Sequence, residues 1–496
     1  MSARTSAWRA VPAAAAIARQ WRVGDVRGLP EVWRHGATLA GVVLAAARSR
    51  PGAVLLVDDR GPVRGGELAA AVSRISAQIA ALGPYRRAEV AICAGSHRGF
   101  VAAVASTGTL GLDAVVAGPH LGDRALARLL AEVDVAVVDP VTATRVRSLA
   151  PQVRQVDCAG PAGPADPADP AGPTSGPAPP RPRGGRPGGL RLLSSGTTGT
   201  PTLTSRAGAG IGQLPTVLSL MGALGLRRSE PVLLAPSLAH GHGLSVLVAA
   251  LVVGAPAVLA HGQDGQGLLQ KLREQHVGVA AVVPAKLAGL LQAVRADGTT
   301  GLGSLRRVAA GSAPLPGELV DGVQTLLGAE PVDFYGTSEV GTATIATPAD
   351  LRAAPGTVGR PAAGVLVEIV DGHGRSLPSE SLGQVRVSSP WRAQARASTQ
   401  LAGDLGHLDQ AGRLFLHSRA DGVVVVGGHN VSIEEVRSWF AAQPGVEEVA
   451  ISAVGHERLG SVLEARVHTT GSLAGLHAQA RAALGDAAAP RRLLPW

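Results

Sequence analysis

Short apolar runs alternate with helix-like segments through the first third of the chain. The apolar runs occupy residues 53–57, 89–93, 113–117 and 133–138, and the segments 66–82 and 99–110 between them carry apolar residues at helical spacing. Apolar strands that alternate with helices are typical of a parallel sheet covered on both faces. The pattern therefore predicts an α/β domain with a largely parallel sheet.

A stretch rich in Pro, Gly and Ala interrupts this alternation at residues 159–189. Such a composition buries too little apolar surface to order itself, so we predict a disordered insertion. The alternation resumes at Leu190. We divide the chain into an N-terminal extension (1–37), the first αβ part of a large domain (38–158), the insertion (159–189), the nucleotide-binding part of the large domain (190–420) and a shortened C-terminal mobile domain (421–496).

Strand-like segments dominate the chain after residue 350. Those at 365–370, 383–388 and 414–417 predict a strand-rich subdomain of the large domain. Beyond residue 421, a helix at 432–442 lies among strands at 422–426, 449–454 and 462–467. This second pattern predicts a small α+β unit.

The basic charge of the chain comes almost entirely from arginine. Lys and Arg number 46 against 37 Asp and Glu, for a formal net charge of +9, and Lys271 and Lys286 are the two lysines. Aromatic residues make up 2% of the chain and no block of five basic residues occurs, so we predict no nucleic-acid partner. A positive surface favours polyanionic small molecules instead.

The cysteine content and the N-terminal residues indicate the cellular compartment of the protein. Cys93 and Cys158 are the two cysteines, which argues against a disulfide framework and favours the reducing cytosol. The Ala-rich run at residues 11–18 contains Pro12 and is too short for a signal peptide or a membrane span. We therefore expect a cytoplasmic protein without a transmembrane segment. Peripheral membrane contact through the neighbouring Trp and Arg residues is an alternative that the sequence leaves open.

The strongest chemical signal is the sequence LLSSGTTGTP at residues 192–201. Its glycines allow the backbone to wrap closely round a phosphate, and its hydroxyl groups can donate to phosphate oxygens. The loop follows an apolar strand, and ligands of open α/β sheets bind where strands end. A plain surface loop is the alternative. The residues concerned are Ser194, Ser195, Gly196, Thr197, Thr198 and Gly199.

Two further motifs supply polar groups suited to a nucleotide. In DFYGTSEVG (333–341), Tyr335 can stack on a purine, Thr337 can donate to a phosphate and Glu339 can hold a hard cation. In LAGD (401–404), the carboxylate of Asp404 can accept from both hydroxyls of a ribose, or it can cap a turn.

The order and spacing of these three motifs resemble the adenylate-forming superfamily of acyl-CoA synthetases, nonribosomal adenylation domains and beetle luciferases. The resemblance extends over the chain after its first thirty or so residues and is closest to actinobacterial fatty acid–CoA ligases. Segments 96–101, 344–356 and 359–361 share it. It implies that a carboxylic acid, expected to be a fatty acid, reacts with ATP in the presence of Mg²⁺ to form acyl-AMP and then with coenzyme A.

The resemblance also implies a role for each matching residue. Residues 194–201 would hold the β- and γ-phosphates, and Glu339 would bind Mg²⁺. Adenine would lie against Gly311, Ser312, Ala313 and Tyr335. Thr337 would contact the α-phosphate, and Asp404 and Arg419 would contact the ribose. His240 would contact the acyl group, and Asp421 would be the hinge. Gly427 and Gly428 would border the pantetheine arm. An ordinary half-buried histidine is the alternative for His240, and His242 receives no role.

Two departures from the family pattern bear on catalysis. Thr202 stands where the family has a lysine after the phosphate loop, which removes a charge beside the leaving pyrophosphate. The given sequence ends APRRLLPW (489–496), short of the family's catalytic lysine, and we expect Lys286 to lie at a helix start rather than to replace it. We therefore predict an acid–CoA ligase. The alternatives are an acyl-AMP ligase without a coenzyme A step and a catalytically impaired relative that binds nucleotide or acyl-adenylate.

Overall fold

The computed structural model describes most of the chain. The described residues are 15, 20, 23–83, 85–118, 121–160, 188–194, 202–206, 214–298, 300–337, 340–389, 400–419 and 423–496. Nearly all of the predicted insertion and more than half of the predicted N-terminal extension lie outside them. Within the described ranges, no helix is both long enough and apolar enough to cross a membrane.

After a 3-10 helix at Val23–Gly28, the next elements form a helical layer and a hairpin. They are α1 (Leu29–His35), α2 (Leu39–Ser49), β1 (Val54–Asp58), β2 (Gly61–Arg64) and α3 (Gly65–Ala81). The Thr38 side chain accepts a hydrogen bond from the Gly41 amide at 3.2 Å, which caps the start of α2. Glu31 and His35 of α1 are fully buried, so this part of the predicted extension packs into the fold.

A six-stranded sheet contains the next strands. The elements are β3 (Glu89–Cys93), α4 (Arg98–Thr109), β4 (Asp113–Ala117), α5 (Asp123–Leu130), β5 (Val135–Val138), α6 (Pro140–Leu149), β6 (Arg154–Asp157), β7 (Leu190–Ser194) and β8 (Thr202–Arg206). The strand order is β6-β5-β3-β4-β7-β8. The pairs are parallel except β7 with β8.

A nine-stranded sheet contains β1, β2 and the strands that follow. The new elements are α7 (Leu214–Leu224), β9 (Val232–Leu234), α8 (Gly241–Val253), β10 (Ala257–Leu259), α9 (Gly265–Glu274), β11 (Val279–Ala281), α10 (Pro284–Asp297), β12 (Arg307–Gly311), α11 (Gly317–Thr325), β13 (Glu330–Thr337), β14 (Gly341–Ala346), α12 (Pro348–Ala353) and β15 (Arg360–Pro361). The order is β15-β14-β13-β12-β11-β9-β10-β1-β2. Its inner strands, from β13 to β1, pair in parallel.

Alternate residues of the strands face different cores. Val90 and Ile92 of β3 pack into a core that also contains residues of α2 and α4, whereas Ala91 and Cys93 pack against α5 and α6. Side chains alternate between the two faces of a strand, so a strand that is apolar throughout needs cover on both faces. The structure supplies that cover, which confirms the predicted α/β class.

Two strand-rich units follow. The first is an antiparallel sheet of β16 (Leu366–Val370), β17 (Gly383–Ser388), β18 (Gln400–Leu408) and β19 (Leu414–Arg419). The second, which we call the C-terminal unit, comprises β20 (Val423–Val426), β21 (His429–Ser432), α13 (Ile433–Ala441), β22 (Val446–His456), β23 (Gly460–Thr469), α14 (Leu473–Leu484) and β24 (Arg492–Pro495). Both contain the strands and the helix that we predicted, and β18, β21 and β24 were not predicted. The predicted domain boundaries stay predictions.

A buried ion pair joins the two large sheets. Asp58 at the end of β1 accepts from Arg98 at the start of α4, with Nε–Oδ2 at 2.9 Å and Nη2–Oδ1 at 2.5 Å. The Asp58 side chain is 4% exposed. Burial alone would raise the pKa of this carboxyl, but the hydrogen bonds and charge of Arg98 bring it below its ordinary value. The pair therefore stabilises the arrangement of the two sheets.

We expect Arg98→Met to lower the free energy of unfolding by about 3 kcal/mol, because it leaves the Asp58 carboxylate buried without its ion partner. Urea unfolding followed by tryptophan fluorescence would measure the change. Arg273→Met is the matched control, since Arg273 pairs with Asp297 at the surface and its loss should cost less than about 1 kcal/mol. Equal losses of unfolding free energy in the two variants would contradict the stabilising role of the Asp58–Arg98 pair.

Candidate active site

Two adjacent parallel strands bring the second motif beside residues 311–313. Gly311 at the end of β12 is paired in register with Phe334 of β13. A Cβ atom at Gly311 would lie 2.8 Å from the Phe334 carbonyl oxygen and 3.1 Å from its ring, so only glycine fits there. Because the carboxyl ends of parallel strands lie at one edge of a sheet, Ser312 and Ala313 emerge at the edge towards which β13 carries Tyr335.

A hydrogen bond joins the second motif to the third. The Tyr335 hydroxyl donates to Asp404 Oδ2 at 2.5 Å, although the two residues lie 69 positions apart. Asp404 is buried on β18 and is the register partner of Arg419 on β19. The structure thus places the carboxylate predicted to bind ribose next to the ring predicted to stack on adenine. Their roles remain predictions, but their proximity is a property of the fold.

Two histidines lie where α8 begins. His240 is its N-cap residue and His242 lies in its first turn. His242 Nδ1 is 3.1 Å from Ser312 Oγ, and its ring meets the Phe334 ring edge-on with centroids 4.5 Å apart. Ser312 has a backbone φ of 69°, a left-handed conformation that is unfavourable for a serine. Strained residues of this kind cluster at ligand sites.

The C-terminal unit contributes to the same site. The ring of His429 lies 5.1 Å from that of His240, centroid to centroid. Gly427 and Gly428 both have positive φ, at 57° and 89°. A Cβ atom at Gly428 would lie 3.4 Å from Val283 and 3.8 Å from the Ser312 Cβ. Of the two predicted pantetheine glycines, Gly428 therefore lies against the large domain, beside Ser312, whereas a Cβ atom at Gly427 would meet Leu459 of the C-terminal unit itself.

Asp333 is a buried acid for which no role was predicted from the sequence. It lies on β13, is 3% exposed, and its Oδ1 has no hydrogen-bond partner among the described residues. Burial raises its pKa to about 7. At neutral pH its carboxyl group therefore exists in both protonation states and can donate or accept a hydrogen bond. An acid within an otherwise apolar strand, PVDFYG, was the signal in the sequence.

The structure describes two of the residues predicted to bind phosphate, whereas others lie outside the described residues. Ser194 ends β7 and is the register partner of Thr202. Thr337 ends β13, and its hydroxyl accepts from the Val340 amide at 3.4 Å. Ser195, Gly196, Thr197, Thr198, Gly199, the predicted magnesium ligand Glu339 and the predicted hinge Asp421 lie outside the described residues. Within the described part of the chain, no three His, Cys, Asp or Glu side chains gather into a metal site.

Both lysines have partners in the fold. Lys271 Nζ lies 2.9 Å from Asp59 Oδ1, and Lys286 Nζ donates to the carbonyl of Gln263. Lys286 lies in the first turn of α10, which is the helix-start position that we predicted. Burial lowers its pKa from the ordinary lysine value.

Comparison with known proteins identifies the family of the chain. The sequence model of the family described as "AMP-binding enzyme" matches residues 43–395. The chain belongs to the AMP-binding enzyme family. This confirms the predicted resemblance to adenylate-forming enzymes. The matched region ends before the C-terminal unit.

Named relatives of this AMP-binding enzyme are ligases. A fatty acid–[acyl-carrier-protein] ligase, ScoC of Streptomyces coeruleorubidus, is 25% identical over 295 residues, 56% of this chain and 57% of the relative. An indoleacetate–CoA ligase of Aromatoleum aromaticum is 27% identical over 295 residues, 56% of each chain. The matches thus span a little more than half the length of these relatives.

Solved structures share the fold over nearly the whole chain. The amide bond synthetase McbA of Marinactinospora thermotolerans superposes with a TM-score of 0.78 at 24% identity, covering 92% of this chain and 95% of McbA. The o-succinylbenzoate CoA synthetase MenE of Bacillus subtilis, as a double mutant, superposes with a TM-score of 0.77 at 21% identity over 92% and 94%. At these identities the likeness shows the fold alone.

We expect Asp333→Asn to stabilise the protein more at pH 8 than at pH 5. The native carboxyl has a pKa near 7 whereas the unfolded one has its ordinary value of 3.8, so native stability falls as the pH rises between these values. The isosteric amide removes this loss, which is on the order of 4 kcal/mol at most. Urea unfolding of both proteins at the two pH values measures it. A pH-independent difference would contradict the raised pKa.

Proposed function

We propose that this AMP-binding enzyme activates a carboxylic acid with ATP and transfers the acyl group to the thiol of coenzyme A. In the first step, a carboxylate oxygen of the acid bonds to the α-phosphorus of ATP, the bond from that phosphorus to the bridging oxygen breaks, and pyrophosphate leaves. In the second step, the thiol sulfur bonds to the acyl carbon, the thiol loses its proton and AMP leaves. We infer that the acid is a fatty acid because the sequence resembles fatty acid–CoA ligases.

The Tyr335–Asp404 contact is the observation that supports this proposal most strongly. It joins an aromatic ring and a buried carboxylate at the edge of the sheet where β12 and β13 end. Such a pair suits an adenosine, because the ring offers a stacking face and the second carboxylate oxygen can accept from ribose hydroxyls. The strained Ser312 directly follows β12, and Asp333, whose Oδ1 has no partner among the described residues, lies on β13.

The chain's own residues hold and orient the reactants in this account. Asp404 and Arg419 hold the ribose, Thr337 the α-phosphate, and residues 194–201 the outer phosphates. His240 contacts the acyl group, and Gly427 and Gly428 give the pantetheine arm room beside Ser312. When bound, Mg²⁺ neutralises phosphate charge, and Glu339 is its proposed ligand. Asp421 is the proposed hinge about which the C-terminal unit turns between the two steps.

The direct test incubates the purified protein with ATP, Mg²⁺, coenzyme A and a panel of fatty and aromatic acids, with products identified by mass spectrometry. We expect acyl-CoA, AMP and pyrophosphate. Acyl-AMP without acyl-CoA would support an acyl-AMP ligase instead. Bound ATP without pyrophosphate from any acid would contradict the ligase proposal and support a relative that only binds nucleotide.

We expect Asp404→Asn to weaken AMP binding about tenfold, because it replaces a charged acceptor of the ribose hydroxyls with a neutral amide. Isothermal titration calorimetry with AMP measures the dissociation constant. Asp486→Asn is the matched control, since Asp486 pairs with Arg481 at the surface, away from the site. Equal AMP affinity in a folded Asp404→Asn protein would remove Asp404 from the site.

A further inference from the structure

Two histidine side chains face each other across β18 and β19. His407 Nδ1 lies 2.8 Å from His417 Nε2, and the ring centroids are 5.1 Å apart. His407 is partly buried, with 21% of its side chain exposed, whereas His417 is exposed. The proposed reaction uses neither residue, so the pair calls for an explanation of its own.

A β-bulge directs His417 towards His407. Residues 405 and 406 are consecutive on β18, but their register partners on β19 are residues 418 and 416. His417 is therefore the extra residue of β19 at this point. Bulges change the direction in which a side chain points, and they recur next to functional sites.

The ring of His407 is held on two sides. Phe415 stacks on it, with centroids 4.9 Å apart and planes 7° from parallel. Glu380 Oε2 lies 3.7 Å from its Nε2, the nitrogen that points away from the second histidine. The Glu380 amide donates to the Leu408 carbonyl at 2.8 Å, and its Oε1 accepts from the Gln410 amide at 3.2 Å. Glu380 has a φ of 66°, which is unfavourable for a residue with a side chain.

This arrangement has the parts of a histidine metal site. A metal-bound histidine commonly donates its other ring N–H to a carboxylate, which fixes the ring and leaves the first nitrogen free to bind. Glu380 offers such a carboxylate to His407. Zinc holds nitrogen ligands at about 2.0–2.1 Å, which in a tetrahedral site separates them by about 3.3 Å. The two nitrogens would have to part by about 0.5 Å to reach that separation, and the exposed ring of His417 has room to turn.

We propose that His407 Nδ1 and His417 Nε2 together bind one divalent transition-metal ion of the zinc and copper class, with Glu380 orienting His407 and water completing the coordination. Imidazole suits zinc, copper and nickel, whereas Mg²⁺ prefers oxygen ligands. The site therefore differs in chemistry from the predicted magnesium site, and it does not depend on the proposed function. A metal bound here would link the two strands that carry Asp404 and Arg419.

The test titrates the untagged, metal-free protein with zinc chloride in a calorimeter, without nucleotide. We expect saturable binding of one zinc ion per chain, which excess Mg²⁺ does not displace. Zinc should also raise the unfolding temperature, because a ligand that binds the native state stabilises it. Electron paramagnetic resonance of the protein loaded with Cu²⁺ counts the nitrogen ligands, and we expect two.

Three variants assign the binding to this cluster. His407→Ala and His417→Ala each remove one ligand, and we expect each to weaken zinc binding at least about tenfold. Glu380→Gln removes the charge that orients the first histidine, and we expect about a tenfold loss. His468→Ala is the matched control, since His468 is an exposed histidine that contacts Glu447 rather than a second histidine. We expect the control to bind zinc as the unchanged protein does.

Two results would overturn the inference. Absence of saturable zinc binding would show that the two histidines form an ordinary hydrogen bond. Zinc affinity that persists in folded His407→Ala and His417→Ala proteins would place the metal elsewhere, and circular dichroism checks that the variants fold. Neither result bears on the ligase proposal, whose test is the formation of acyl-CoA.

Discussion

The parallel pairing of β12 with β13 is the constraint on which the candidate site depends. It requires a glycine at position 311, because any side chain there would meet the backbone and ring of Phe334. The pairing also places Ser312 and Tyr335, which are 23 residues apart in the sequence, at neighbouring strand ends. Since the inner strands of the sheet pair in parallel, loops after neighbouring strands gather at one edge. The polar groups of the cleft come from that edge, from the start of α8 and from the adjoining strand-rich sheet.

Three parts of the chain meet at this edge. The nine-stranded sheet supplies Ser312 and Tyr335, the strand-rich sheet supplies Asp404, and the C-terminal unit places Gly428 against Val283. The C-terminal unit also touches the six-stranded sheet's layer, because a Cβ atom at Gly122 would lie 2.4 Å from the Ala483 carbonyl oxygen. Gly122 and Gly428 thus lie at two of the places where these parts touch. In the proposed two-step reaction, a turn of the C-terminal unit would change the shape of this site.

Much of the fold followed from the sequence, because apolar periodicity reports burial directly. The strand predicted at 89–93 is β3, and the helix predicted at 66–82 is α3, displaced by one residue. The arrangement of the site was harder to predict from the sequence. The Tyr335–Asp404 bond spans two sheets, and no local pattern reveals such a contact. His242 and Asp333 were missed for a different reason. The sequence shows Asp333 as an acid within an apolar strand and gives no such signal for His242, and only the packed structure shows that each keeps a buried atom without a partner among the described residues.

The most direct measurement is an experimental structure of this protein with AMP bound. We expect adenine between residues 311–313 and the Tyr335 ring, with the ribose hydroxyls donating to Asp404 at the edge where β12 and β13 end. AMP bound elsewhere on the protein, or a ribose that makes no contact with Asp404, would contradict the central claim that this cleft is the adenylate site.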